Sequence, residues 1–599
     1  MMYSVQHFHT LVDVAMGREP ADLVIRHGQW VCVQSGEIVP NTDIAIKDGR
    51  IAYVGEDASH CVSKDTVVID AADRYLVPGL LDAHMHVESG MVTVTEFVRA
   101  VAPRGTTGMF IDPHEIANVF GLKGVRLMVD EAAVQPIHVW VQVPSCVPSA
   151  PGLETPGASI GPEDVAEAMT WDGIIGLGEV MNFPGVASGD AKMLAEMAEA
   201  RKAGKVIGGH YASPDLGLPF HGYVAGGAED DHEGTRLEDA VARVRQGMKA
   251  MLRYGSAWHD VAAQVKAVTK LGLDPRHFIL CTDDSHAETL SQQGHMDRVI
   301  RHAIHEGLSP MTAIQMATLN TAEHFGLSRE VGMIAPGRWA DVLLVKDLRE
   351  FFADLVVAKG RVIAEKGDLL IELPSFDYPE WARRSVHLKR PLQADDFRLH
   401  VPEELRGEKR LMANVIGIIE NQAPTRHLRL EVPVEGDEVQ VDMERDLAKV
   451  ALVERHHGSG SVTVGLVQGF GFTAPCAVAS TVAHDSHHMV VVGTREAEMA
   501  LAANTLAEVG GGQVVVKDGE VIGLVELTIG GLMSTERAEV VAQKAAAMLD
   551  GFRACGCTLN NPNMQLSLLA LAVIPELRIS DKGLVDVNRF ALVPVLETV

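Results

Sequence analysis

A chain of 599 residues, 47% hydrophobic and 5% aromatic, is longer than one compact core requires, so two or three domains are expected. Its formal net charge of −28 repels polyphosphates and anionic membrane surfaces, which argues against nucleic-acid polymers and lipid head groups as partners and leaves a small neutral ligand. The seven scattered cysteines contain no CxxC pair, no leader pattern opens the chain, and no run approaches the roughly 20 apolar residues of a membrane span, so a reduced, soluble, cytoplasmic protein is expected.

In chain order, residues 1–75 begin with a polar, helical segment and continue in short strands, VIRHGQWVCV, DIAIKDGR and IAYVG, with Asp48-Gly49 as a hairpin signal. They form the first part of a small β module. Over residues 76–330 short apolar runs alternate with helical stretches such as LEDAVARVRQGMKAMLR, whose apolar residues recur at spacings of three and four. Strand-then-helix repetition over roughly 250 residues is the length of a closed eight-fold β/α barrel. Residues 331–380, with VGMIAPGRWADVLLVKD, return to strand texture and complete the first module as a discontinuous β-sandwich. After the charged linker RRSVHLKRPLQADDF, the region 381–599 mixes strands such as VTVGLV with the helix AEVVAQKAAAMLDGF and reads as an α/β or α+β domain. The predicted class is α/β, built on a TIM-like barrel.

Chemistry becomes visible where the apolar runs stop. YLVPGLLDA leads to His84 and His86, GTTGMFID to Asp112, His114 and Glu115, GIIGLGE to Glu179, KVIGG to His210, and HFILCT to Asp283 and Asp284. In a β/α barrel the C-terminal strand ends form one rim, where residues distant in sequence converge. Residues two apart in a strand face the same way, so His84 and His86 can address one metal ion while Met85 points elsewhere. Taken singly, His210 or His232 is an ordinary hydrogen-bonded histidine. It is the series that marks a site.

The stretches VPGLLDAHMHVES, GLGEVMNFPGV, GGHYAS, DDHEGTR, GSAWHD and CTDDSHAETLSQQGHMD together resemble the amidohydrolase superfamily and, within it, the bacterial adenine deaminases. MTAIQMATLNTAEHFGL, PGRWADVLLVKD, AHDSHHMVVVG and NNPNMQLSLLALAVIPELRISDKGLVDV extend the likeness over nearly the whole chain. The resemblance implies two divalent metal ions, manganese or iron, with zinc also accommodated by a ligand set free of thiolates. His84, His86 and Asp283 would hold one ion, His210 and His232 the other, and Glu179 would bridge them in place of a carboxylated lysine. AGGAEDDHE is not a clean strand, and the acids beside His232 offer similar ligand chemistry.

The implied reaction is attack of a metal-activated hydroxide on carbon 6 of adenine, giving hypoxanthine and ammonia. A carboxyl group must shuttle protons to the ring nitrogen and the departing amine. Asp283 is the first candidate, with Glu115 and Asp284 in reserve; His114, Ser285 and His295 are candidates for substrate contact. DPHE also fits an ordinary helix start, and His295 also fits a helix cap. The cluster His484, Asp485, His487 and His488 reads first as a structural hydrogen-bond network and second as a lid over the site. An amidohydrolase of cyclic amides or N-acetyl amino sugars is the alternative reading. The expected partners are a purine and, by analogy, a second copy of the chain in a homodimer.

Overall fold

Five strands open the fold: β1 (Leu23–Cys32), β2 (Glu37–Lys47), β3 (Arg50–Gly55), β4 (Val67–Asp70) and β5 (Tyr75–Pro78). The computed structural model describes residues 5–408 and 410–598. Asp48 and Gly49, at φ 49° and 79°, make the two-residue turn that pairs Lys47 with Arg50; positive φ at both central positions suits the twist of a hairpin.

The barrel follows. Its strands are β6 (Leu80–His86), β7 (Thr106–Ile111), β8 (His138–Val143), β9 (Ile174–Val180), β10 (Val206–Gly209), β11 (Asp230–Asp231), β12 (Lys249–Arg253) and β13 (Phe278–Cys281). β14 (Asp283–Asp284) prolongs β13 past Thr282. Parallel pairing runs β10-β9-β8-β7-β6-β14 and β11-β12-β13. The eighth strand therefore bonds β12 through its first half and β6 through its second, where Asp283 opposes Met85. The Glu229 N–H donates to the Ile207 carbonyl (2.9 Å) and joins β10 to β11, which closes the ring. Helices cover it outside. Met296–His305, for example, buries Val299, Ile300, Ala303 and Ile304, the spacing of one helix face.

Beyond the barrel, β15 (Val342–Val345), β16 (Ala353–Ala358), β17 (Arg361–Glu365) and β18 (Asp368–Leu369) return to the first strands. β15 pairs antiparallel with β5, Leu343 opposite Val77. The strands assigned from sequence to a small sandwich are hydrogen-bonded as one sheet of nine, packed around Leu23, Ile25, Ile44, Leu76, Val342 and Leu344.

From residue 410 a ten-stranded, largely antiparallel sheet forms the second half. In its strand Gly512–Lys517, Val514 and Val516 pack with Met499 and Leu506 of the helix Glu496–Val509, whereas Val515 faces the core shared with the barrel. Among the described residues no helix is long and apolar enough to cross a membrane.

Candidate active site

Alternation along β6 puts Asp82, His84 and His86 on one face. Asp82 accepts from the Thr282 N–H (3.0 Å) and hydroxyl (2.6 Å), fastening the first strand to the last. The Asp112 carbonyl lies 2.8 Å from His86 Nδ1, so that nitrogen donates and Nε2 is left to face the rim. Nε2 of His86 is 3.2 Å from Asp283 Oδ1, and that of His84 is 3.7 Å from the same oxygen.

Glu179, next to last in β9, is the centre. Its carboxylate is approached by five imidazoles: His210 at 2.7 Å, His232 at 3.1 Å, His114 at 3.3 Å, His84 at 3.6 Å and His86 at 3.8 Å. Burial alone would raise its pKa, but the surrounding imidazoles, His210 foremost, hold it well below the usual carboxylate range. The Glu179 N–H donates to Asp112 Oδ2 (2.7 Å), and a Cβ at Gly178 would sit 2.2 Å from that oxygen, so any larger residue before the glutamate must displace the Asp112 carboxylate. His232 stacks on His84 with ring centroids 4.0 Å apart.

Asp283 adopts φ 64°, an uncommon left-handed backbone for a non-glycine residue and one that recurs at functional sites. Arg253, ending β12 and 2% exposed, donates from Nη1 to Asp283 Oδ2 (2.7 Å) and from Nε to Asp260 Oδ2 (2.9 Å), and also bonds Glu233. Against the upward push of burial, Arg253 and then His86 keep Asp283 well below the usual carboxylate range. His84 is driven the other way: burial, then the neighbouring imidazoles, hold its pKa well below normal.

Among the described residues the buried Nε2 of His84 has no hydrogen-bond partner, and that of His232 faces Glu179 Oε2 at 3.1 Å. Ligand atoms of His84, His86 and Glu179, of His84, His232 and Asp283, and of Glu179, His210 and His232 fall in three overlapping groups, each within 4.8 Å. Imidazole nitrogens converging with carboxylate oxygens in this way fit divalent cations.

The structure thus gathers His84, His86, Glu179, His210, His232 and Asp283 as expected from sequence, and adds His114, whose ring is 4.7 Å from that of His86. The acids beside His232 do not replace it. Asp231 is committed to Arg243 (2.8 Å) and Glu233 to Arg253. Asp112 and Pro113 do precede a helix, His114–Phe120, yet the Asp112 side chain serves Glu179 and does not cap it.

Glu115 and Asp284 line a cavity of about 320 Å³ between the rim and the C-terminal domain. Ser285 is buried beside it, its N–H bonded to Ser89 Oγ (3.0 Å), and does not face the cavity. His295 is a correction to the expected substrate contact. It is buried with Nδ1 3.0 Å from Thr106 Oγ1 and Nε2 3.0 Å from Asp82, packs edge-on against Phe97, and makes no side-chain cap.

Expected first as part of a structural hydrogen-bond network, His484 and His487 come to the cavity. His484 Nδ1 is 2.9 Å from Glu115 Oε1, and His487 Nε2 bonds Glu115 Oε2. Burial would raise the Glu115 carboxyl, but His484, His487 and His114 hold it well below its ordinary range. Glu88, not singled out from sequence, also lines the cavity; burial, and then Glu115, push it up to about 7.

A closed parallel barrel with imidazoles and carboxylates converging on its C-terminal rim defines a hydrolase of the amidohydrolase class. Residues 75–363 match the family model described as the amidohydrolase family, and residues 422–591 match the adenine deaminase C-terminal domain. The chain is 63% identical over 580 residues to a protein of Mesorhizobium japonicum named adenine deaminase, covering 97% of this chain and 95% of that one. It is 61% identical over 586 residues to adenine deaminase 3 of Rhizobium meliloti, covering 98% of each. With adenine deaminase of Moorella thermoacetica the identity is 53% over 586 residues, 98% of this chain and 97% of the other. The chain belongs to the adenine deaminase family.

Proposed function

We infer that this protein hydrolyses adenine to hypoxanthine and ammonia at the Glu179 cluster. The observation that carries the reading is the convergence of five imidazoles on one buried carboxylate beside a cavity under the C-terminal domain. His84, His86 and Asp283 would hold one divalent ion, His210 and His232 a second, with Glu179 shared; imidazole and carboxylate donors suit manganese or iron as well as zinc. When bound, such ions supply an acidified water as nucleophile and offset the negative charge that builds on the ring.

The chain's own residues do the rest. In the net reaction a C6–O bond forms, the C6–N6 bond breaks, and protons reach the ring nitrogen and the departing amine. Asp283, oriented by Arg253 and beside His86, is placed to take the nucleophile's proton. Asp284 and Glu115, on the cavity wall, are the carriers within reach of the amine. His114, between Glu115 (3.3 Å) and Glu179 (3.3 Å), orients the ring, and the His484 and His487 clasp on Glu115 keeps bulk water out.

Ammonia release from adenine by manganese-loaded protein tests the reading. His84→Ala and Glu179→Gln should lower turnover by about three orders of magnitude and reduce bound metal while far-ultraviolet circular dichroism stays unchanged. Normal turnover in either variant, or hydrolysis of hydantoins with none of adenine, would overturn it.

A further inference from the structure

The roof of the cavity carries polar atoms for which the reaction so far has no use. Gln513 lies on the strand Gly512–Lys517, opposite Ser480, two residues from Val515 and so on the same face, the one turned to the barrel. It lines the cavity that Glu88, Glu115 and Asp284 line from the barrel side. The residue is 5% exposed, and its Oε1 has no hydrogen-bond partner among the described residues. Two further cavity-lining oxygens, Asn563 Oδ1 on the roof and Glu88 Oε2 opposite, are also buried without partners. Buried acceptors are costly to leave unpaired, so this cavity is built for a ligand that brings N–H groups.

Adenine has N–H groups at the exocyclic amine and on the five-membered ring. The inference rests on the adenine reading given above, and on one constraint from its chemistry. Carbon 6 must face Glu179 and the two histidines of β6, because attack occurs there. N3 lies across the six-membered ring from C6, and N9 adjoins it through C4. That edge therefore points toward the roof, which contributes none of the residues gathered around Glu179. A carboxamide presents a donor and an acceptor side by side, the complement of a ring nitrogen next to a ring N–H, and glutamine reads two-atom purine edges in this way elsewhere. We propose that Gln513 is a specificity-determining residue of the C-terminal domain that reads the N3/N9 edge of the substrate purine, its Nε2 donating to N3 and its Oε1 accepting from N9–H.

The test is steady-state kinetics of the manganese-loaded holoenzyme on adenine, 3-deazaadenine and 9-methyladenine. The wild type should penalise both analogues by about 10-fold or more in kcat/KM. In Gln513→Leu the KM for adenine should rise by about 10-fold with a smaller change in kcat, and the 3-deaza penalty should shrink to within about 2-fold. Gln513→Glu is nearly isosteric and keeps the N9–H acceptor while losing the N3 donor. It should erase the 3-deaza penalty and retain the 9-methyl penalty, which protects the test if the leucine variant folds poorly. A merely structural role would lower kcat on all three substrates alike and leave the ratios at their wild-type values, and that result would overturn the proposal. Wild-type protein inactive on adenine would instead overturn the adenine reading, and this proposal with it.

Discussion

Arg253 is the sharpest point at which to break the site without touching a proposed ligand. Its guanidinium, 2% exposed, bonds Asp283 at 2.7 Å and Asp260 at 2.9 Å and also bonds Glu233, so one cation faces three carboxylates away from bulk water. Arg253→Met removes the cation and leaves the carboxylates. Each charge-assisted bond contributes about 1.5–3 kcal/mol, so the two with ordinary lengths sum to about 3–6 kcal/mol. Breaking a buried ion pair from one side costs about 3–5 kcal/mol, which agrees. We therefore expect a loss of about 3–5 kcal/mol in denaturant unfolding of the metal-loaded protein. Arg253→Lys should fall between wild type and Arg253→Met, since an ammonium keeps the charge but cannot fork across Asp283 and Asp260. An Arg253→Met protein within about 1 kcal/mol of wild type, with full metal content and turnover, would refute the assignment of Arg253 as the brace behind Asp283.

Other expectations follow from single contacts. Gly178→Ala would force a Cβ to 2.2 Å from Asp112 Oδ2, so the Asp112 bond to the Glu179 N–H must break; bound metal should weaken by about 10–100-fold in a competition titration. His487→Ala frees one oxygen of buried Glu115 and should lower kcat/KM by about 10–100-fold with metal content unchanged; a parallel fall in metal would contradict the clasp role. Glu196 is fully buried beside Lys192, at 3.1 Å, and burial pushes it up to about 7 from an ordinary 4.5. Between those values the folded state holds a proton that the unfolded state has lost, so stability falls as pH rises through the window, by about 3 kcal/mol in all. Glu196→Gln should lack this slope when unfolding free energies at pH 5 and pH 8 are compared, and an identical slope in both proteins would count against it.

The site was legible where local geometry and chemistry coincide. His84 and His86 stand out because a strand repeats its facing every two residues, and Glu179, His210 and Asp283 because each ends or follows an apolar run. By the same rule Arg253 stands at a strand end, as the last residue of β12, but an arginine after KAML carries no ligand signature, and its acidic partners lie 7, 20 and 30 residues away with no periodic spacing to link them. Glu88 follows His86 by two but, past the end of the strand, carries no signal that separates it from a surface acid. His295 misled for the opposite reason: GHMD follows the last strand closely, yet the helix it opens turns the ring against Thr106 and Asp82.

By itself the amino-acid order determined the alternation of short apolar strands with amphipathic helices, and with it a barrel whose strand ends carry imidazoles and carboxylates, because those periodicities are local. Only the tertiary structure decided what lies over that rim. His487 reaches Glu115 across 372 residues of chain, and Gln513 joins the same cavity from another sheet. No period or spacing encodes a contact of that range; it exists because two cores share one buried face, and the side chains along that face meet only once both have folded.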